Sequence, residues 1–107
     1  MMEVIYCKVG EPAKLVEVDG TLEDFQKMVG GHIEVVSYEG ISGLVYVLNE
    51  EGKLEGLKPN KSIFGGNDMI VGDFFVAAIG ADDIVGLNER QKEFVMRTVD
   101  FGRMWYL

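Results

Sequence analysis

Between Val4 and Val9 the side chains Val4, Ile5, Tyr6, Cys7 and Val9 are β-formers broken only by Lys8, and Leu15-Val16-Glu17-Val18 repeats the character after Gly10-Glu11-Pro12-Ala13. Glycine and proline between two β-rich runs are turn chemistry, so the chain is expected to open on a hairpin. The period changes after Asp19-Gly20: Leu22, Phe25, Met28 and Val29 recur at helical spacing and predict a short helix with those four as its buried stripe. Thr21 supplies the cap, and Asp24 sets a carboxylate against the free amides and the positive helix end. Gly30-Gly31 closes the last turn, because glycine enters the left-handed region without a Cβ clash.

His32 to Tyr38 alternates, with Ile33 and Val35 on one side and His32, Glu34, Val36 and Tyr38 on the other. After a loop at Glu39-Gly40-Ile41-Ser42-Gly43, the nearly unbroken apolar run Leu44 to Leu48 predicts a central strand covered on both faces. Asn49-Glu50-Glu51-Gly52 reads as a tight turn into Lys53-Leu54-Glu55. Pro59 to Asp68 reads as polar and irregular, and Met69-Ile70-Val71 then leads through Gly72-Asp73 into Phe74 to Ile79. Gly72 marks a bulge or bend, and Asp73 is expected to accept from nearby backbone amides. Asn88 with Gln91 three residues on caps a second helix, whose apolar face is Phe94, Val95, Thr98 and Val99 and whose stop is Gly102. The order β-β-α-β-β-β-β-α predicts an α+β protein: an antiparallel or mixed β-sheet, or a small partly open barrel, of about five to six strands with two short helices, helix packing on one side of the sheet.

Composition narrows the picture further. A chain of 107 residues with 48% hydrophobic content suits one domain spanning 1–107 with one core. Eighteen acidic against ten basic residues give a net charge of -8, a field that repels phosphate backbones, so direct nucleic-acid binding is not expected. The same charge suits solubility, or a DNA mimic that lines one face with carboxylates such as Glu50, Glu51, Glu55, Asp82 and Asp83. No apolar run approaches the ~20 residues needed to cross a bilayer. The lone cysteine Cys7 has no partner for an internal disulfide, and Met1-Met2-Glu3 lacks the basic and apolar stretches of a secretory signal, so a cytoplasmic setting is expected. The tail Arg103-Met104-Trp105-Tyr106-Leu107 is apolar for a chain end; it is expected to pack back on the sheet or, through Trp105 and Tyr106, to form a homodimer interface.

Several phrases in order, Val29-Gly30-Gly31-His32-Ile33-Glu34, Asn49-Glu50-Glu51-Gly52-Lys53-Leu54, Leu57-Lys58-Pro59-Asn60 and Ile70-Val71-Gly72-Asp73-Phe74, resemble the domain-of-unknown-function 3846 family of small bacterial, phage and mobile-element proteins. The resemblance covers roughly residues 4 to 95. Two positions depart from the family's usual pattern: His32 stands where an aromatic is expected, and Lys61 where an arginine often follows the Pro-Asn pair. The resemblance implies a bacterial or mobile-element context and implies no activity.

The candidate chemistry is sparse. His32, the sole histidine, shares a strand face with Glu34, and such a pair can move a proton, but a triad or a metal centre needs three or four convergent groups. No catalytic residue, metal site or cofactor is therefore expected, and His32 and Cys7 read as a half-exposed strand residue and a small buried hydrophobe. The glycine pairs Gly30-Gly31 and Gly65-Gly66 offer amides that suit a phosphate, yet neither follows a strand and opens a helix. Leu57-Lys58-Pro59-Asn60-Lys61-Ser62 sets two lysines close together in an acidic chain, and loops carry binding more often than strands do. The expected function is that of an accessory protein acting by recognition of a protein or small ligand. The alternative is a pocket for an anionic or nucleotide-like ligand, with Lys58, Asn60, Lys61, Gly30, Gly31 and His32 as the binding residues.

Overall fold

The computed structural model describes residues 1–106; Leu107, the end of the apolar tail, lies outside the described residues. In chain order the elements are β1 (Met2–Cys7), β2 (Lys14–Val18), α1 (Leu22–Val29), β3 (Ile33–Ser37), β4 (Leu44–Asn49), β5 (Pro59–Ile63), a 3-10 turn (Phe64–Gly66), β6 (Asp68–Val71), β7 (Phe74–Ile79), β8 (Ile84–Val85) and α2 (Glu89–Thr98). The main sheet has six strands, all antiparallel, in the order β2-β1-β7-β4-β3, with β8 extending the β1 side of β7. Strands β5 and β6 form a separate two-stranded sheet. The outer strands β2 and β3 do not pair with each other, so the architecture is an open sheet and not a barrel.

Strands β4 and β7 carry apolar side chains on both faces, and both faces are covered. Val4, Val45, Val47, Phe75 and Ala77 point to α1, whose Phe25 and Val29 complete that layer; the Phe25 and Phe75 rings lie 5.2 Å apart. Ile5, Cys7, Leu44, Tyr46, Phe74, Val76 and Ala78 point the other way, to Val95 and Val99 of α2 and to Ile63 and Ile70 of the β5–β6 hairpin. The helices thus sit on opposite faces, which corrects the expectation of helix on one side only. Period-two alternation in a strand that is apolar throughout demands a cover on each face, at about 1.5–3 kcal/mol for each fully buried Val or Phe side chain.

Both helix starts form as their sequences indicate. Thr21 Oγ1 accepts from Asp24 N at 3.0 Å and Asp24 reaches back to Asp19 N at 2.9 Å, while Asn88 and Gln91 form a reciprocal capping box. Other details differ. Leu22 is 57% exposed at the first turn of α1, outside the stripe it was expected to join; on β3 the expected alternation holds, with Ile33 packing on the α1 layer and Val36 on the opposite one. Residues 50–56 are consecutive turns, with Glu51 N donating to the Asn49 side chain, so no strand forms at Lys53-Leu54-Glu55. The stretch expected to be irregular supplies β5 instead.

Candidate functional site

Residues Asn60 and Lys61 are where the polar segment of β5 meets the core, and both are buried. Asn60 Nδ2 donates to the carbonyls of Cys7 and Gly72 at 2.9 and 2.8 Å, bridging β1 to the turn before β7. Its Oδ1 accepts from Arg103 Nε at 2.7 Å. The Arg103 guanidinium also donates to the carbonyls of Lys8 and Glu11, pairs with Asp100 at 3.2 Å and stacks over the Phe74 and Trp105 rings. One cation therefore ties the chain end to β5, to the β1–β2 turn and to the segment after α2. The Gly72 amide donates to Lys58 O and Asp73 accepts from Val9 N at 2.8 Å, the backbone-bonding role expected of Asp73.

The six residues expected to share one ligand site are not brought together. Asn60 is spent on the hub just described. The Gly30 and Gly31 amides both donate to Gln26 O, closing α1, and so are not free for a phosphate. Gly30 lines an open cleft with Lys8, Lys27 and Lys58, but Asp73 and Glu55 line it too, and the negative C-terminal end of α1 points there. His32 is exposed; its nearest polar side-chain contact is Gln26 at 3.5 Å, and no hydrogen bond joins it to Glu34 among the described residues. The five carboxylates of the DNA-mimic alternative divide between opposite ends of the sheet: Glu50, Glu51 and Glu55 follow the end of β4, whereas Asp82 and Asp83 follow the end of β7 that pairs with the start of β4. The tail packs back: Tyr106 Oη donates to Pro59 O at 2.6 Å and its ring lies under Lys58.

Lys61 leads elsewhere, to the floor of a cleft of about 460 Å³ between the β5–β6 hairpin and the C-terminal half of α2. Its walls are mostly apolar: Ile41, Ile63, Phe64, Phe94 and Phe101, with Tyr38 and Thr98 joined by a 2.8 Å hydrogen bond at the base. Phe101, Ile41 and Phe64 stand open to solvent at the rim. The two non-glycine residues with positive φ in the described chain, Glu39 (φ 49°) and Phe64 (φ 52°), both line this cleft. They are joined to each other: Glu39 Oε2 accepts from Phe64 N at 3.3 Å while Oε1 accepts from Tyr46 Oη at 2.7 Å. Burial, with the Glu39 carboxylate beside it, drives the Tyr46 hydroxyl far above the ordinary tyrosine range. Lys61 Nζ donates to Phe101 O, and burial lowers its pKa below that of a free lysine. Nothing in the sequence marked Glu39, Phe64, Phe101 or Arg103; a bulky residue held in the left-handed region has no local signature.

Cys7 is wholly buried, and burial pushes its thiol up to about 12 from 9.0. Tyr6 and Tyr38 are raised from 10.0 to about 12, again chiefly by burial. Each folded value exceeds the unfolded one, so the stabilisation is whole below pH 9 and is lost as the pH climbs from 9 toward 12; the lowered Lys61 works in the opposite sense. Alkylation by iodoacetamide at pH 8 should therefore leave Cys7 unmodified in the folded chain and reach completion in denaturant. Modification of the native protein at the rate of a free thiol would contradict this placement.

Fold and cleft together define a three-layer α+β protein, one open antiparallel sheet sandwiched between a helix and a helix-plus-hairpin, with a largely apolar cleft on the hairpin side. A family model described as Domain of unknown function (DUF3846) matches residues 2–100, and the chain belongs to that family. Neither a curated protein nor a solved structure matches it.

Proposed function

We propose that this is a binding protein that holds a small ligand in the cleft between the β5–β6 hairpin and α2, working by recognition and without covalent chemistry. Its setting in a bacterium or a mobile element is what the family resemblance implies. The observation that carries the binding role is the meeting of Glu39 and Phe64 in one cleft. Each sits in a backbone region that costs a non-glycine residue about 1–2 kcal/mol, and such strain persists only where the surrounding structure over-determines it, which is commonest at ligand clamps and active sites. The cleft volume of about 460 Å³ falls in the range of small-molecule sites, and a few fixed polar groups within apolar walls are what such sites use for orientation.

A fragment screen followed by ¹⁵N–¹H NMR on the full chain tests the assignment. Aromatic and aliphatic fragments should move resonances of residues 38–41, 61–66 and 94–102 and leave those around α1 in place. Phe64→Gly should bind the same fragments roughly fivefold or more weakly, because an aromatic wall is lost. Its stability should stay within about 1 kcal/mol of the parent or rise, because glycine relieves the positive φ. A screen in which no fragment moves the cleft resonances would remove the binding role.

A further inference from the structure

We infer that the ligand of this cleft is an amphipathic monoanion, with a carboxylate seated against Lys61 Nζ and an aromatic or aliphatic body lying among Phe64, Phe94 and Phe101. The inference rests on the cleft being a binding site and names what it takes. Lys61 is 2% exposed, and a buried charge is ordinarily matched by an opposite one. Here it is not: the ion pairs of the described residues join Lys14, Lys53, Lys92 and Arg103 to carboxylates, and none includes Lys61.

The acids nearest in effect are engaged elsewhere. Glu39 spends both oxygens on Tyr46 Oη and Phe64 N, and Asp100 is bound by Arg103. Among the described residues the Lys61 ammonium donates only to the Phe101 carbonyl, so donors remain for a guest, since an ammonium has three N–H bonds. The cleft that Lys61 lines is walled mostly by carbon, which strengthens a charge-assisted bond made at its base. Among the described residues Lys61 is the one cation lining the cleft and the Glu39 carboxylate lines it too, so each negative charge on a guest is opposed by Glu39 and a dianion such as a phosphate monoester is opposed more than a monoanion. A single carboxylate on an apolar body matches the one ammonium and the carbon walls.

The experiment titrates 3-phenylpropanoate and 3-phenylpropan-1-ol, equal in shape and different in charge, into the ¹⁵N-labelled full chain at pH 7, with Lys61→Met and Lys61→Arg alongside. The acid should bind the parent roughly tenfold or more tightly than the alcohol, as a bond to a charged group requires. Lys61→Met should bind the two alike, and Lys61→Arg should keep the preference. Equal binding of acid and alcohol to the parent would overturn the anion assignment while leaving the cleft as a binding site. So would a preference that survives in Lys61→Met. If neither compound moves the cleft resonances, both the anion assignment and the binding role fall. Should Lys61→Met not fold, the acid-to-alcohol ratio on the parent and on Lys61→Arg decides.

Discussion

Replacing Arg103 with alanine is expected to lower the midpoint of thermal unfolding by roughly 12 °C or more, from a loss of about 3–5 kcal/mol at a few degrees per kcal/mol for a domain of this size. The side chain is completely buried and donates to Asn60 Oδ1, to the Lys8 and Glu11 carbonyls and to Asp100. Truncation leaves those acceptors facing a void between the Phe74 and Trp105 rings. Arg103→Lys should recover only part of the loss, because a point ammonium does not match acceptors arranged around a planar fork. Differential scanning calorimetry of parent and variants reads the result. A drop under about 4 °C for Arg103→Ala, equivalent to roughly 1 kcal/mol, would show that the chain end is not fastened as described.

Asn60→Ala is the second large effect, expected at about 3 kcal/mol. It strips the donor from two buried carbonyls, Cys7 and Gly72, and the acceptor from Arg103 Nε, and each orphaned buried group costs about 1–3 kcal/mol. Asn60 and Arg103 share a bond, so their losses should not add: the double variant should be less destabilised than the sum of the singles by about 1 kcal/mol or more in urea denaturation. Strict additivity would mean that the two side chains act in separate places. Lys61 offers a contrast one residue along the same strand. It is buried and forms no ion pair among the described residues, so the anion site predicts that its loss harms ligand choice far more than folding.

The hairpin of β1 and β2, the Thr21 and Asn88 caps, the Gly30 closure and the central apolar strands were legible in the chain because each depends on neighbours a few residues away. Thr21 needs only the amide of Asp24, and Gly30 needs only Gln26 O. The segment from Pro59 to Ile63 was not legible as a strand. Asn60 and Lys61 read as loop residues because polar side chains are normally solvated, and here the partners that let them enter the core lie 53 residues away at Cys7 and 43 away at Arg103 for Asn60, and 40 away at Phe101 for Lys61. The proposed ligand residues separated for the same reason. Lys58 and Gly30 line one cleft and Lys61 lines another, with the register shift of β5 falling between Pro59 and Lys61.

By itself the sequence determined that this chain makes an α+β fold from short strands and two capped helices, and its ordered phrases carried the family resemblance; local hydrogen bonds and the period of apolar residues suffice for that. Only the tertiary structure decided that the helices lie on opposite faces, that Arg103 pins the chain end into the core, and that Glu39, Lys61, Phe64 and Phe101 meet around one cavity. Those outcomes arise from contacts between residues tens of positions apart, where burial, and not the identity of near neighbours, determines whether a polar side chain becomes a brace, a wall or a binding group.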